Sequence, residues 1–544
     1  MCGIFGLIGK NTLPKSLIGS KFINGENRGP ESSILKFLKS KNKNIDIILG
    51  FHRLAINGFL NPTSEQPIVK KNCVLICNGE IYNWSRLSKE CDTICDTGSD
   101  CEIIIHLYKK YGPKQTLQML DGVFAFILYD KENDSIFIAR DSLGVRPMFI
   151  WESKDINDNT FSVASEIKMS HGLLPFSPKP FTPGHYIFTS LNTFDLTMNR
   201  FYDNNSFENN TINSEELCLE LIKDTLQDAV RKRVDNTDRE IACLLSGGLD
   251  SSLVTALVVK EYVMRNGVNS SKDVHTWSIG MEGSEDLNYA RMVANHLKTT
   301  HHEIKLSEKD FIDAIQKVIY TIETNDTTTI RASVGNYLIC KYIRQYSNAK
   351  VIFNGDGSDE VTGGYLYFHC APDSTAFDQE CRRLLNDIHL FDVLRSDRTI
   401  SCHGLEARTP FLDRNFVQSY LSIPRRFRYH SGNKQCEKYL LRKAFSIDNL
   451  LPHDVLWRTK EAFSDGVSKK TRSWYEIIQD YASKLYNLSD KKKAEQIYYD
   501  KIFTDYYGDL TNNKNIIPYK WMPKFIEAED SSARTLKIYD KVNL

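Results

Sequence analysis

The chain of 544 residues is too long for one hydrophobic core, so two or more large domains are expected. Lysine plus arginine and aspartate plus glutamate number 69 each, and a net charge of zero argues against nonspecific binding of nucleic acid. No apolar run reaches the roughly 20 residues that a membrane-spanning helix needs, and the N-terminus lacks the pattern of a signal peptide.

The 13 cysteines are an odd number scattered through a long chain, which is not typical of a disulfide framework. Cys73 with Cys77 and Cys91 with Cys95 are spaced C-x3-C, but no facing Cys or His pair completes a zinc site. We therefore expect reduced, mostly buried thiols and a cytoplasmic protein.

The first part of the chain, residues 2–202, is rich in short strand-like segments bounded by turn residues. In chain order they are IDIILGFHRLAI, NCVLICNGEIY, GVFAFILYD, DSIFIARD and FSVASE. One helical pattern, CEIIIHLYKKYG, interrupts them. This order predicts an α+β domain built on antiparallel sheets. A polar, asparagine-rich stretch at residues 203–215 is predicted to be a linker.

The second part, residues 216–544, begins with a helical pattern and then alternates strand with helix. The predicted strands are REIACLL, DVHTWSIGM, HHEIKL and KVIFNG. The predicted helices are ELCLELIKDTLQDAVRKRV, SLVTALVVKEYVM, LNYARMVANHL, FIDAIQKVIYTIE and GNYLICKYIRQY. Alternation predicts an α/β domain with a doubly wound parallel sheet, whose ligands bind beyond the carboxyl ends of the strands. From about Ala371 onward, mostly helices and a polar tail are expected.

A glycine-rich loop, SGGLDSS, occupies residues 246–252 between a predicted strand and a predicted helix. Its glycines let a ligand approach the backbone closely, and the N-terminus of the helix favours an anion. The loop has no lysine of the Walker A type and carries Asp250, which suits a Mg²⁺ ion bound together with phosphates. A tight turn with capping serines is the structural alternative.

A second loop, FNGDGSDE, ends another predicted strand and carries Asp356, Asp359 and Glu360. Three carboxylates around two glycines suit a Mg²⁺–phosphate site better than a structural turn. Lys460, in the later stretch WRTKEAFSDG, supplies a cation. Turn chemistry or a surface lysine explains each feature singly, but together they indicate a site where ATP is cleaved between its α- and β-phosphates.

Several motifs together resemble those of glutamine-dependent asparagine synthetases: LLSGGLDSS, ETNDTTTIRAS, GSDE followed by GGYLYFHCAP, LEARTPFLD and WRTKEAFSDGV. The resemblance extends over nearly the whole chain, and the tail WMPKFIEAEDSSARTL is similar to the eukaryotic-type branch. It implies an N-terminal-nucleophile glutaminase sandwich with αββα layers. It also implies a synthetase domain of the ATP-pyrophosphatase type that contains the pyrophosphate loop.

Cys2 directly follows the initiator methionine, which methionine aminopeptidase removes when the next residue is small. Cys2 would then carry a free α-amine, with a pKa of about 7.7–8.0, beside a thiol with a pKa of about 8.5. The amine can act as a base for the thiol. A buried cysteine near the first strand is the alternative. The resemblance makes Cys2 the nucleophile that attacks the carboxamide of glutamine and releases ammonia.

The motif NGEIYN offers the side-chain amide of Asn78 and the backbone N–H of Gly79, which suit an oxyanion hole. Arg53 can bind the α-carboxylate of glutamine, and Asp100 can pair with its α-ammonium. The residues that the resemblance implies for glutamine binding are Arg53, Leu54, Ala55, Ile56, Asn57, Asn78, Gly79, Glu80 and Asp100.

The resemblance also implies the reaction. The β-carboxylate of L-aspartate attacks the α-phosphorus of ATP, and ammonia passed from the glutaminase domain converts β-aspartyl-AMP into L-asparagine and AMP. Asp250 and Asp359 are the candidate Mg²⁺ ligands, and Asp356 and Lys460 are candidate catalytic residues, with Lys460 offsetting charge at the α-phosphate. Arg331 is expected to meet a phosphate or a carboxylate. The implied ATP-binding residues are Leu244, Ser246, Gly247, Gly248, Asp250, Ser251, Ser252, Ile279, Arg331, Asn354, Gly355 and Tyr365.

Two loops depart from the usual family pattern. Residues 27–31 are Asn-Arg-Gly-Pro-Glu where the family usually has His-Arg-Gly-Pro-Asp, which leaves the contacts of this loop open. Asn354 and Asp356 stand where the family usually has Ser and Glu, and an aspartate withdraws the carboxylate by about 1.5 Å. Misplacement by about 1 Å can cost roughly 100-fold in rate. We expect the pocket to close around the shorter side chain and the enzyme to remain active.

Three other readings share parts of this pattern. β-Lactam-forming synthetases share the phosphate loop but typically lack the cysteine at position 2, and other class II amidotransferases lack SGGLDSS. A protein that senses a nucleotide or an amino acid without turnover is supported only by residues 354 and 356. The expected partners are L-aspartate, L-glutamine and ATP, without nucleic acid or membrane, and the resemblance is compatible with a homodimer.

Overall fold

The computed structural model describes residues 1–10, 13–41, 44–153, 159–203 and 207–539. The chain divides into two compact units. Unit 1 comprises Met1–Asp203 with the short segments Asn236–Arg239 and Ser401–Glu406. Unit 2 comprises Asn204–Asp235, Glu240–Ile400 and Ala407–Leu544. Residues 204–206 of the predicted linker and residues 540–544 of the predicted second domain lie outside the described residues.

Unit 1 is built mainly from strands, as its short β-like segments predict. Its strands are β1 Gly3–Gly9, β2 Ser32–Lys39, β3 Asp46–Arg53, β4 Ile68–Lys70, β5 Cys73–Ile81, β6 Gly122–Asp130, β7 Ser135–Arg140, β8 Phe149–Glu152, β9 Phe161–Ala164, β10 Lys179–Pro180, β11 His185–Ser190 and β12 Asn199–Arg200. Its α-helices are α1 Lys15–Phe22, α2 Trp84–Glu90 and α3 Ile103–Met119.

The strands of unit 1 form two six-stranded antiparallel sheets. The first sheet has the order β10-β8-β9-β1-β3-β2, and the second has the order β12-β11-β7-β6-β5-β4. Ile4 and Ile47 of the first sheet share one buried apolar cluster with Val74 and Ile127 of the second. The two sheets therefore pack face to face, which is the arrangement that alternating apolar side chains favour.

Helices cover the outer faces of both sheets. Leu107 of α3 belongs to a buried cluster on the second sheet, while Phe22 at the end of α1 lies 5.9 Å from Phe5 of the first, measured between ring centroids. The predicted helix CEIIIHLYKKYG continues beyond its predicted end. Gly112, at φ 78°, bends α3 and Pro113 begins its next turn, so the pattern's glycine marks a kink and not a terminus. The resulting order is helix, sheet, sheet, helix.

Unit 2 alternates strands and helices and then becomes helical. Its strands are β13 Ile241–Leu244, β14 His275–Met281, β15 Thr300–Leu306, β16 Val351–Phe353 and β17 Glu406–Arg408. Its helices are α4 Glu215–Asp235, α5 Leu249–Asn266, α6 Glu285–Leu297, α7 Glu308–Ile322, α8 Thr327–Tyr346, α9 Ser358–Thr362, α10 Ser374–Asp387, α11 Asp392–Ser401, α12 Arg414–Ser422, α13 Arg425–Arg428, α14 Tyr439–Ala444, α15 His453–Leu456, α16 Phe463–Gly466, α17 Trp474–Tyr486 and α18 Lys491–Tyr507.

The sheet of unit 2 has the strand order β15-β14-β13-β16-β17. The pairs β13–β14, β13–β16 and β14–β15 are parallel, which confirms the predicted parallel sheet. β13 and β16 are neighbours, so the loops that follow their carboxyl ends meet at one edge of the sheet. These loops are the two glycine-rich segments of the sequence. β17 was not predicted, because its sequence places Ala407 between two charged residues and offers no apolar run.

Two further observations bear on the expectations from composition. No α-helix of the described residues is long and apolar enough to cross a membrane. All 13 cysteines are free thiols, and most of them are buried. Most of the cysteines are therefore packed as small hydrophobic residues, as expected.

Candidate functional sites

Cys2 directly precedes β1, and its thiol contacts the backbone of Leu54. The Sγ atom donates to the carbonyl oxygen of Leu54 and accepts from its N–H, both at 3.4 Å. With Met1 in place, burial raises the pKa of the Cys2 thiol to about 12. Burial also lowers the pKa of the Met1 amine to about 5. The thiol is protonated at neutral pH while Met1 remains, so its activation requires a change at the N-terminus.

The loop at residues 27–31 holds the backbone on both sides of the Cys2 thiol. Arg28 Nε donates to the carbonyl oxygen of Cys2 at 2.8 Å. Glu31, which stands where the family usually has Asp, accepts from the N–H of Ala55 through Oε2 at 2.7 Å. The longer acidic side chain therefore contacts the segment that was predicted to bind glutamine.

Asn78 presents a buried amide without a partner. Asn78 lies on β5 with 1% of its side chain exposed, and its Nδ2 has no hydrogen-bond acceptor among the described residues. A buried donor without a partner is costly, and an oxyanion would satisfy it. At Gly79 a Cβ atom would lie 2.5 Å from the carbonyl oxygen of Val123, so only glycine fits this position beside β6.

The predicted charged contacts of glutamine are both held by neighbours. Arg53, at the end of β3, donates to Ser64 Oγ at 2.6 Å. Asp100 is buried and accepts from the N–H of Ile81 through Oδ2 at 2.6 Å. These bonds fix the orientation of one cation at the end of β3 and of one anion beside Ile81, the last residue of β5.

Glu80 and Asn57 form one hydrogen-bonded group. Asn57 Nδ2 donates to Glu80 Oε2 at 2.7 Å, and Asn236 Nδ2 donates to the same oxygen at 2.8 Å. The carboxylate of Glu80 is buried, so these amides replace its water shell. Glu80 thereby also fixes Asn57, the last residue of the predicted glutamine-binding segment Leu54–Asn57.

One cysteine of the C-x3-C spacings, Cys95, lies beside an acidic group and an imidazole. The ligand atoms of Cys95, Glu102 and His106 lie within 4.8 Å of one another. The carboxylate of Glu102 already accepts from the N–H and Oγ1 of Thr97, at 2.8 and 2.7 Å, and pairs with Lys70 at 3.2 Å. This network anchors the loop that carries Asp100.

Unit 2 contains a cavity of about 240 Å³ beyond the ends of β13 and β16. Asp356, Asp359 and Lys460 line it. The predicted ATP-binding residues in its wall are Leu244, Ser246, Gly248, Asp250, Ser251, Ile279, Asn354, Gly355 and Tyr365. Gly247, Ser252 and Arg331 are not part of its described lining.

The loop between β13 and α5 is held in shape by its own serines. Ser251 Oγ accepts from the N–H of Ser246 at 3.2 Å and lies 3.0 Å from Ser246 Oγ. Gly247 has φ 77°, and a Cβ atom there would lie 2.5 Å from Tyr289. Both conditions require glycine. The loop leads directly into α5, whose first N–H groups face the cavity end of the sheet.

The two glycine-rich loops touch each other. A Cβ atom at Gly355 would lie 2.7 Å from the backbone nitrogen of Ser251, so the loops can approach this closely only with glycine at 355. Ser358 Oγ donates to Asp250 Oδ1 at 2.8 Å. The carboxylates that the sequence places on separate loops are thus brought to one place.

Two carboxylates and two ammonium groups form a cluster in the cavity wall, of which Lys438 is the buried member. Lys438 Nζ lies 2.6 Å from an oxygen of Asp250 and 2.6 Å from one of Asp359. Lys460 Nζ donates to Asp359 Oδ2 at 2.6 Å. Burial opposes ionisation of Asp359, but the two ammonium groups outweigh it and hold its pKa well below the usual range. Sequence reasoning missed Lys438, since nothing local distinguishes it from the other lysines.

Asp356 lies in the same wall with both carboxylate oxygens bonded. Its Oδ2 accepts from Asn354 Nδ2 at 2.7 Å, and its Oδ1 accepts from Arg395 at 3.0 Å. The pocket therefore supplies fixed partners for the shorter acid that this chain has in place of the family's usual glutamate.

Glu360 and Tyr365 form a second acidic group beside the cluster. Tyr365 Oη donates to Glu360 Oε1 at 2.5 Å. Burial, reinforced by the negative charges of Asp392 and Asp359, raises the pKa of Glu360 well above its usual range. Burial also raises the pKa of Asp392 to about 6. The surroundings of Glu360 thus favour its protonated form, in contrast to those of Asp359.

Apolar side chains line the other side of the cavity. Leu244 and Ile279, which were predicted to flank the base and ribose, both contribute to it. Trp277 also lines the cavity and was not predicted. Its ring stacks on His302 with 4.0 Å between centroids, which holds its plane. A fixed aromatic and two aliphatic side chains suit a flat heterocycle.

Arg331 is bonded to carboxylates of the protein itself. It binds Glu495 through two hydrogen bonds, at 2.8 and 2.6 Å, and Asp530 through two more, at 2.6 and 3.0 Å. The sequence predicted a phosphate or a carboxylate for this arginine but could not indicate whose carboxylate. Arg331 ties α8 to α18 and to the C-terminal segment.

That C-terminal segment supplies one wall of the cavity. Its lining residues are Trp521, Pro523, Ser531, Ser532, Ala533 and Leu536. Ser532 Oγ donates to Asp465 at 2.8 Å, and Arg534 Nε donates to Glu461 at 2.7 Å. The tail that resembles the eukaryotic-type branch is therefore part of this site.

Comparison with known proteins assigns both halves of the chain. A family model described as "Glutamine amidotransferase domain" matches residues 1–180, and one described as "Asparagine synthase" matches residues 221–376 and 370–521. Among solved structures, a glutamine phosphoribosylpyrophosphate amidotransferase from B. subtilis complexed with ADP and GMP covers 49% of this chain and 64% of its own, at 18% identity and a TM-score of 0.31. The family models define the class: an amidotransferase domain joined to an asparagine synthase domain.

Full-length relatives narrow the class. Proteins named asparagine synthetase [glutamine-hydrolyzing] are 40% identical over 577 residues in Gallus gallus, 42% over 581 in Cricetulus griseus and 40% over 581 in Homo sapiens. Each alignment covers 99% of this chain and 99% of the relative. The chain therefore belongs to the glutamine-hydrolysing asparagine synthetase family. This confirms the resemblance read from the motifs and removes the alternatives that share only one half of the chain.

Proposed function

We propose that this protein is a ligase that makes L-asparagine from L-aspartate and ATP, with L-glutamine as the nitrogen donor. The observation that carries the proposal is the cavity of unit 2, which joins the phosphate loop to two carboxylates and two ammonium groups. Such a set of charged groups suits a nucleoside triphosphate that is attacked at a phosphorus atom. The orphaned Asn78 amide near the N-terminus of β1 supports the glutamine half.

The finer fold assignment follows from the same chemistry. We assign unit 1 to the N-terminal-nucleophile class, supported by its helix–sheet–sheet–helix layers and by Cys2 at the start of β1. We assign unit 2 to the doubly wound ATP-pyrophosphatase class, supported by its parallel sheet and by the loop between β13 and α5. The domains proposed are residues 2–202 and 216–544, with residues 203–215 as linker.

In the glutaminase half, removal of Met1 would give Cys2 a free amine that takes the proton of its thiol. The thiolate attacks the carboxamide carbon of glutamine, and the developing oxyanion accepts from Asn78 Nδ2 and the N–H of Gly79. Collapse of this intermediate transfers a proton to the leaving nitrogen and releases ammonia. Water then hydrolyses the thioester to glutamate. Arg53 and Asp100 bind the α-carboxylate and α-ammonium of the substrate.

In the synthetase half, an oxygen of the β-carboxylate of aspartate attacks the α-phosphorus of ATP, and the bond to the β-phosphate breaks. The products are β-aspartyl-AMP and pyrophosphate. Ammonia then attacks the activated carbonyl carbon, loses a proton, and displaces AMP. Lys460 and Lys438 offset negative charge that develops on the phosphates, and the loop at residues 246–252 binds the pyrophosphate.

Mg²⁺ is the metal that this donor set fits. Asp250 and Asp359 offer hard oxygen ligands, and their shared contact with Lys438 Nζ supports a position for a cation between them. We propose that Asp250 and Asp359 would hold the ion. When bound, Mg²⁺ would neutralise phosphate charge and orient the pyrophosphate leaving group.

We also propose a cellular compartment and the partners of this protein. The 13 free thiols support a reducing compartment such as the cytosol. The partners proposed are the small molecules L-aspartate, L-glutamine and ATP, and a homodimer is compatible with the family.

The test is an assay of the purified full-length chain with ATP, Mg²⁺ and aspartate in three arms, with glutamine, with ammonium chloride or with no nitrogen source. We expect pyrophosphate, AMP and asparagine in equal amounts in the first two arms. The ammonium arm bypasses the glutaminase half. Absence of asparagine above background in that arm would refute the proposal.

The division of labour is tested with Cys2→Ala and by measuring the intact mass of the protein. Cys2→Ala should abolish asparagine formation from glutamine and leave formation from ammonium chloride unchanged. The mass of the wild-type chain should lack Met1. A protein that retains Met1 and still hydrolyses glutamine would contradict the activation mechanism.

A further inference from the structure

The side-chain amide of Asn354 connects three groups beside the cavity. Its Nδ2 donates to Asp356 Oδ2 at 2.7 Å and to Ser396 Oγ at 2.9 Å. Its backbone N–H donates to the carbonyl oxygen of Arg408 at 3.1 Å, and only 3% of the residue is exposed. Both amide hydrogens are thus used, and the amide has one orientation.

Asp356 is consequently held from two sides. Asn354 binds Oδ2, and Arg395 binds Oδ1 at 3.0 Å. Arg395 also pairs with Asp392, so it is itself fixed. A carboxylate with both oxygens bonded has one orientation in the cavity, and its charge is balanced locally.

Residues 354 and 356 are the two positions of this loop that depart from the family pattern, and they are bonded to each other. Aspartate is shorter than the usual glutamate by one methylene, or about 1.5 Å. Asparagine is longer than the usual serine and ends in a two-hydrogen donor. A serine hydroxyl has one hydrogen and could not donate to both Asp356 and Ser396.

We infer that Asn354 is a positioning residue that acts through Asp356, and that residues 354 and 356 form one functional unit for adenylation of aspartate. The inference rests on the proposed function. Asn354 and Arg395 together hold the shorter side chain of Asp356 in one orientation, so that its carboxylate faces the reacting groups. A purely structural role is the competing reading, because Asn354 Oδ1 also accepts from the N–H of Asp356 at 3.3 Å and so closes a local turn.

The experiment is a double-mutant cycle with Asn354→Ser, Asp356→Glu and the double variant, in the full-length chain. Pyrophosphate release and asparagine formation are measured with ammonium chloride as the nitrogen source, together with KM for ATP and the thermal unfolding midpoint. Each single variant should lower kcat by roughly 10- to 100-fold, since it misplaces the carboxylate by about 1 Å. The double variant, which restores the usual family pair, should recover most of the lost kcat.

Ser396→Ala is the graded control. It leaves the contact between Asn354 and Asp356 and removes only the second acceptor, so it should lower kcat less than Asn354→Ser. A structural role predicts losses that multiply in the double variant and follow the unfolding midpoint. If the wild type is active and the losses multiply in this way, the inference about Asn354 is wrong and the proposed function is unaffected. A wild type that releases no pyrophosphate would overturn the proposed function and this inference together.

Discussion

The ammonium group of Lys438 donates to both carboxylate oxygens of Asp250, at 2.7 and 2.6 Å. Lys438 has a left-handed backbone conformation, with φ 60°, and 1% of its side chain is exposed. Its ammonium group is therefore buried where it contacts Asp250. Its position beside the phosphate loop supports the proposal that Lys438 and Lys460 act on the same phosphates.

Replacement of Lys438 by methionine should lower the rate of pyrophosphate release by at least about 100-fold. The buried ammonium would no longer offset phosphate charge, and Asp250 would lose its bidentate partner. The matched control is Lys443→Met, because Lys443 pairs with Glu215 at the surface with 41% of its side chain exposed. Glutamine hydrolysis should be unchanged in both variants. Equal activities of the two variants would show that Lys438 has no part in the reaction.

Asn78→Ala should lower kcat for glutamine hydrolysis by about 100- to 1,000-fold, as expected for loss of one oxyanion donor. The unfolding midpoint should change little, because Nδ2 of Asn78 has no partner among the described residues. Asparagine formation from ammonium chloride is the internal control, and Asn199→Ala, at an exposed strand, is the matched variant. A variant that hydrolyses glutamine normally would exclude Asn78 from the oxyanion hole.

Arg331→Met should destabilise unit 2 by about 3–5 kcal/mol, because it leaves Glu495 and Asp530 buried and unpaired. The unfolding transition in denaturant measures this loss. The control is Arg291→Met, which breaks an ion pair with Glu303 and has 49% of its side chain exposed. If Arg331 acts mainly as this clamp, Arg331→Met combined with Glu495→Gln and Asp530→Asn should regain stability and activity. Regained stability without activity would contradict a purely structural role of Arg331.

The glutaminase unit should lose stability in mild acid through His52. Burial lowers the pKa of His52 to about 4 from its usual value of 6.5, so below pH 6.5 the unfolded chain binds a proton that the folded chain excludes. The stabilisation is complete above pH 6.5 and is lost as the pH falls towards 4, and at 1.36 kcal/mol for each pKa unit it amounts to about 3 kcal/mol.

The measurement for His52 is the unfolding free energy of unit 1 from pH 7 to pH 4, in the wild type and in His52→Gln. The variant should show a shallower fall with acid, while His453→Gln, at a residue with 83% of its side chain exposed, should follow the wild type. Parallel curves for wild type and His52→Gln would contradict the assignment.

Much of the fold was predictable because its signals are local. The alternation of strands and helices after residue 216 predicted the parallel sheet, and the two glycine-rich loops predicted where Asp250 and Asp359 would meet. Lys438, Trp277 and Ser396 gave no such signal, since each reaches its place through packing between segments far apart in the chain. Arg331 shows a different limit: the residue type predicts a carboxylate partner, but only the tertiary structure identifies Glu495 and Asp530.

The C-terminal segment that contributes Trp521, Ser531, Ser532, Ala533 and Leu536 to the cavity wall is far in sequence from the phosphate loop. Without this wall the nucleotide chamber would be open on one side. A mixed anhydride of aspartate and AMP formed there would then be exposed to water and hydrolysed, and ATP would be consumed without product. Docking of this segment therefore couples cleavage of ATP to protection of its reactive product.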